Sequence, residues 1–129
     1  AQLLGLTPIA KYVGFAVEGV PARIMGMGPS KAVPKLLKNT GIGLSEIDDI
    51  EFNEAFASQV IACMRELGLD KSKVNPEGGA MAHGHPLGAS GAMLTVKALS
   101  HMQRCGGKYC MVTMCIGGGQ GAAILYEMV

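Results

Sequence analysis

Apolar positions recur along the chain in two rhythms. Residues 9–17 (IAKYVGFAV) are rich in Val, Ile and aromatic side chains and predict a first strand. Residues 24–29 (IMGMGP) carry two glycines and a proline and predict a loop. A helix follows. Ser30 is its candidate N-cap, with Pro34 then in the first turn, where a missing N–H costs little. Gly41 stands where a left-handed residue would close that helix. Residues 49–52 (DIEF) predict a short strand. Phe56, Val60, Cys63 and Leu67 fall at helical spacing on one apolar face, and Gly68 ends that helix. Residues 75–91 (NPEGGAMAHGHPLGASG) form a glycine-rich loop leading into another helix, whose apolar side is marked by Met93, Val96 and Leu99. Gly106 and Gly107 stop it. Residues 108–116 (KYCMVTMCI) predict an apolar strand, three glycines turn the chain, and 122–129 (AAILYEMV) predict a last strand.

Strands alternating with helices argue for an α/β layer structure with a largely parallel sheet. The last strand–turn–strand step is too short for a crossover, so it must be antiparallel, and the sheet is mixed. Chemistry in such a sheet is expected in loops at the carboxyl ends of the parallel strands. Three polar loop positions fit: Asn53 after the second strand, His85 in the glycine-rich loop, and Cys115 at the end of the third strand.

Composition narrows the classes. The 129 residues are 49% apolar and 16% charged, enough for a core and too little charge for a disordered chain. They suit one domain, with no internal boundary. The formal net charge is +1, spread without a basic stripe, so nucleic acid is not an expected partner. Lys31, Lys35 and Lys38 share a helix face; a solvated face is the default reading, and attraction for an anionic cofactor the alternative. No run approaches a membrane span, and the N-terminus lacks the pattern of a signal peptide. Four cysteines without a C-x-x-C pair suggest reduced thiols in a cytoplasmic or organelle-matrix protein. Glycines concentrate in 78–91 and 117–121, which points to shaped loops that let backbone approach a ligand.

Each candidate has a plain alternative. Cys115 precedes IGGGQG, a run of small residues whose backbone N–H groups can stabilise a thiolate or an oxyanion; otherwise it is a buried structural thiol. Cys63 reads as core. His85 is held on stiff backbone by Pro86, and an imidazole can donate to a carbonyl or take a proton from a thiol. His83 precedes it in an H-x-H pair, but no third ligand is patterned around them, so no metal is expected. His101 is expected on an exposed helix face. Asn53 opens Asn53-Glu54-Ala55-Phe56 at a strand-to-helix junction, where it is either an N-cap or an amide that holds a water or a carbonyl oxygen.

NEAF, GGAMAHGHPLGASG and CIGGGQG, in this order and with IMGMGP upstream, resemble the signature of the thiolase C-terminal domain across essentially the whole chain. That resemblance implies a mixed five-stranded sheet, mostly parallel with an antiparallel last strand, covered by helices. It forms one of two similar core domains that sandwich helices between their sheets. The implied activity is acyl transfer through cysteine thiols, in reversible Claisen condensation or thiolysis of 3-ketoacyl-CoA such as acetoacetyl-CoA. Coenzyme A then enters as a substrate, with no permanently bound cofactor. By motif, His85 would activate the nucleophilic cysteine and donate to a thioester oxygen. Asn53 would hold the water completing that oxyanion hole, Cys115 would be the acid/base, and the Gly117 N–H would serve a second oxyanion hole. Met25, Ala55 and Phe56 match positions lining the pantetheine and acyl pocket. Glu54 matches the motif without an implied chemical role.

The family's nucleophilic cysteine and its CoA-binding loop domain belong to parts outside these residues. The resemblance therefore implies an N-terminal half or subunit as partner, acyl-CoA as substrate, homo- or hetero-oligomers, and an isolated chain that is inactive and exposes apolar surface. By the same resemblance, His83 stands where most relatives carry an apolar residue, often Leu. Competing readings are a module that only docks CoA or a partner, a half kept for assembly, and a Cys115–His85 hydrolase dyad. Thr113 at the first position of the nucleophile-elbow pattern argues against the dyad.

Overall fold

The computed structural model describes residues 1–129, the side chain of Gln2 aside. Its strands are β1 (Ala10–Gly19), β2 (Ile47–Phe52), β3 (Tyr109–Ile116) and β4 (Gln120–Met128). Its helices are α1 (Pro29–Thr40), α2 (Ala57–Leu67), the short α3 (Ala80–His83) and α4 (Ser90–Cys105). The sheet order is β1-β4-β3-β2. β4 is antiparallel to both β1 and β3, and β2 runs parallel to β3. The sheet is mixed, as expected, but not mostly parallel in its pairing: β1, β2 and β3 share one direction, yet β4 lies between β1 and β3, so two of the three ladders are antiparallel.

The sheet has four strands and not the five that the resemblance implies. At the β2 edge, the next position holds a single parallel bridge, Ile50 to Val74. Asn75 then adopts a positive φ of 48°, which turns the chain out of extended geometry. Its side chain takes over the pairing: Oδ1 accepts from Phe52 N–H at 2.7 Å, and Nδ2 donates to Phe52 C=O at 2.9 Å.

Alternation along β3 assigns the layers. Met111 packs with Val33 and Leu36 of α1 and Leu125 of β4. Cys110 and Val112, of opposite parity, pack against Leu94, Ala98 and Met102 of α4. α2 lies on the α1 side, setting Val60 and Cys63 against Phe52. α1 starts one residue before the expected cap. Pro29 takes the first helical position behind Gly28, where its fixed φ suits the helix. Ser30 is thus inside the helix and buried, and Pro34 lies beyond the first turn, costing one intrahelical bond. Gly41 and Gly68 close α1 and α2 in the left-handed conformation, as expected. No helix among the described residues is long and apolar enough to cross a membrane.

α1 enters through a close approach of two backbone segments. A Cβ on Gly28 would lie 2.3 Å from the Gln120 carbonyl oxygen, and one on Gly121 would lie 2.1 Å from the Gly28 carbonyl carbon. Two facing glycines thereby bring the 22–28 segment onto the start of β4, beside the glycine turn that follows Cys115.

Candidate active site

β2 and β3 form the parallel pair, and Asn53 and Cys115 stand at their carboxyl ends. The Asn53 N–H extends the ladder by donating to Thr113 C=O at 2.9 Å. Past β3 the chain turns through Gly117, Gly118 and Gly119, with φ of 59°, 73° and 153°, a run that only glycine accommodates without strain. Gly119 N–H closes back on Ile116 C=O at 3.4 Å. Met25, Gly26, Ala55, Phe56, Cys115 and Gly117 line one cleft of 220 Å³. Five of the seven residues singled out in the sequence thus share a cavity. Phe56 is 64% exposed, so the cleft wall is apolar and open.

Cys115 is half-buried, and burial pushes its thiol above the ordinary range; its own backbone N–H opposes that rise. The group is accordingly a protonated thiol near neutral pH. Cys63 and Cys110 are fully buried, and burial raises both, Cys110 to about 12. Neither has thiolate character to offer as a nucleophile.

Asn53 is 1% exposed, and neither end of its amide has a hydrogen-bond partner among the described residues. It is not the cap of α2, which begins behind Phe56. An unpartnered buried amide is costly in a core and useful in a binding site. Its neighbour Glu54 reaches into the glycine-rich loop: Oε1 accepts from Asn75 Nδ2 at 2.9 Å, and Oε2 accepts from Met81 N–H at 3.0 Å.

His85 is exposed and lies outside the residues lining the cleft, on the segment between α3 and α4. Its Nδ1 sits 2.6 Å from Ser90 Oγ, and Ser90 Oγ donates to Pro86 C=O at 3.0 Å. With the hydroxyl proton committed to Pro86, the Ser90 oxygen accepts from Nδ1–H. That tautomer leaves Nε2 as the free acceptor of the neutral ring, the arrangement a proton-taking base needs. Ser90 went unremarked in the sequence; its place five residues beyond the histidine, in the first turn of α4, was the available signal.

The remaining candidates fall elsewhere. His83 lines a different open groove, together with Glu77 and with Met93 and Lys97 of α4, and not the cleft. His101, expected on an exposed face, is half-buried, 3.5 Å from Glu77, because α4 turns this side toward the 71–79 segment. Lys31 and Lys35 pair with Glu66 at 3.5 Å and Glu18 at 2.8 Å, which neutralises most of that face as an anion site. Gln59, also missed, donates to Gly26 C=O at 2.9 Å and so steadies the loop that carries Met25.

Sequence and structure comparisons agree on one relationship. The family described as "Thiolase, C-terminal domain" matches residues 6–128. The chain belongs to the thiolase family. It is 52% identical to the 3-ketoacyl-CoA thiolase of Bacillus subtilis, over 99% of this chain and 33% of that protein. It is 54% identical to the beta-ketoadipyl-CoA thiolase of Pseudomonas aeruginosa, over 97% of this chain and 32% of that protein. Human mitochondrial 3-ketoacyl-CoA thiolase superposes with a TM-score of 0.96 at 45% identity, over 99% of this chain and 32% of that one. The same human enzyme has a crystal structure in complex with CoA. The chain spans about a third of the length of these thiolases.

Proposed function

We propose that this chain is the C-terminal third of a thiolase that exchanges acyl groups between 3-ketoacyl-CoA and CoA, with the nucleophilic cysteine carried by an N-terminal half outside these residues. The observation that carries the reading is the joining of Cys115, Gly117, Met25, Ala55 and Phe56 in one cleft at the end of β3; Asn53, with its buried and unpartnered amide, directly follows the parallel neighbour β2.

In the thiolysis direction, His85 Nε2 takes the proton of the partner half's cysteine. The resulting thiolate attacks the 3-keto carbon, and the bond between C2 and C3 breaks. The electron pair goes to the departing acetyl-CoA enolate, and Cys115 Sγ–H protonates its α-carbon. The acyl group remains on the partner's cysteine. CoA–SH then gives its proton to the Cys115 thiolate and attacks the acyl-enzyme; the shortened acyl-CoA forms as the bond to the partner's cysteine breaks, and that cysteine leaves as a thiolate that recovers its proton from His85 Nε2. The raised pKa of Cys115 suits its first act, which is donation. Asn53 orders a water that donates to the thioester oxygen alongside His85. The Gly117 N–H stabilises the other oxyanion.

Cys115→Ser tests the assignment in the chain complemented by a thiolase N-terminal half. Losing a general acid–base group of this kind lowers turnover about 10²- to 10⁴-fold. Unchanged turnover would remove Cys115 from proton transfer.

A further inference from the structure

Asn53 and His85 lie on segments far apart in sequence, and one carboxylate ties those segments together. Glu54, adjacent to Asn53, accepts the Met81 N–H at 3.0 Å and the Asn75 Nδ2 at 2.9 Å. Met81 belongs to α3, whose N-cap residue Gly79 has no side chain to cap it. Glu54 fills that role from across the chain, and α3 leads through Gly84 directly to His85. The carboxylate also explains Gly79. A Cβ there would lie 2.3 Å from Glu54 Cδ, although the φ of −114° is open to any residue. Asn75 cannot rotate to suit another partner, because both ends of its amide are fixed by the Phe52 backbone.

We propose that Glu54 is a positioning residue that sets the His85 loop against Asn53, a role that rests on the thiolase reading for its catalytic consequence. Two donors converge on position 54, so only a side chain with two acceptor atoms satisfies both. Glutamine offers one acceptor and turns its NH2 toward Met81 N–H or Asn75 Nδ2. Aspartate is one methylene short.

The test pairs a structural with a kinetic measurement. In the 129-residue chain, two-dimensional NMR follows Met81 amide exchange and the His85 ring signals in Glu54→Gln. Faster Met81 exchange and shifted His85 signals, with β3 and β4 amides still protected, are expected; unchanged Met81 and His85 signals overturn the proposal. Gly79→Ala gives a second route, since it displaces the carboxylate without altering it. It should reproduce the Glu54→Gln changes alone and add nothing in a Glu54→Ala background, whereas additive effects also overturn the proposal. In the chain complemented by an N-terminal half, Glu54→Gln should lower kcat about 10²-fold, the scale of a misplaced catalytic group, with KM near the parent value. A KM effect without a kcat effect counts against positioning. If the parent complex has no turnover, the thiolase reading fails while the NMR arm still decides the tie.

Discussion

Lys97 Nζ lies 2.7 Å from Glu51 Oε2, joining the middle of α4 to a fully buried carboxylate on β2. The same ammonium also donates to Gly78 C=O, at the mouth of the glycine-rich loop. Breaking a buried pair from one side strands a charge, which costs about 3–5 kcal/mol. Lys97→Met should therefore destabilise the chain by about that amount in chemical denaturation well above about pH 7, where Glu51 is ionised, and by less at lower pH, where the carboxyl holds its proton. Adding Glu51→Gln should recover part of the loss. Equal stability of Lys97→Met and parent would mean that water reaches Glu51.

Burial also governs pH dependence. It pushes Glu51 up to about 7 and Asp49 up to about 6, against the pull of Lys97 and His101; Asp49 adds to the rise of Glu51, and Glu77 adds to the rise of Asp49. Both folded values lie above the unfolded ones of about 4. The folded state thus holds these protons more tightly, and the stability they contribute is complete below about pH 4. It is lost as pH rises through about 6 and then about 7. Denaturation midpoints should fall across that window in the parent and flatten in Asp49→Asn/Glu51→Gln. A flat parent profile would contradict the assignment.

The Gly28–Gly121 contact leaves no room for a methyl group. Gly121→Ala should cost about 1–3 kcal/mol, the range for overpacking, and should shift NMR signals of the 22–28 segment and of the turn after Cys115. A neutral effect on melting would mean that α1 can slide away from β4.

On the α4 side of the sheet, Phe15, Val96, Met114, Ala122, Ile124 and Tyr126 line an open groove of 470 Å³. Phe15 is 51% and Val96 65% exposed. A surface of this kind is ordinarily covered by a partner. The isolated chain should self-associate in light scattering and bind an apolar dye, and Phe15→Lys/Val96→Lys should reduce both. A monodisperse monomer without dye binding would contradict this.

The elements were legible where local chemistry speaks alone. The apolar run 108–116 ending in three glycines could only be a strand and a tight return, and it placed Cys115 correctly. Gly41 and Gly68 closed their helices as their position foretold. Misreadings arose where a distant segment decides. Ser30 looked like a cap, yet Pro29 and the Gly28–Gly121 contact start the helix earlier. Asn53 also looked like a cap, but the ladder bond to Thr113 C=O carries it past the end of β2 as a buried amide. Asp49 and Glu51 alternate like the solvent face of a strand, and only Lys97 and His101, far along the chain, make that face an interior. The fifth strand failed because Asn75 leaves extended geometry after a single bridge. The motifs named the family, whereas Glu54 and Ser90, which hold its loops in place, became visible only through their contacts.

The most direct test is CoA-dependent cleavage of acetoacetyl-CoA by the purified chain, before and after addition of a thiolase N-terminal half. Turnover only after addition, abolished by His85→Ala and by Cys115→Ser, is the expected result. Turnover by the chain alone would make one of its own four cysteines the nucleophile and would contradict the division of roles between the two halves.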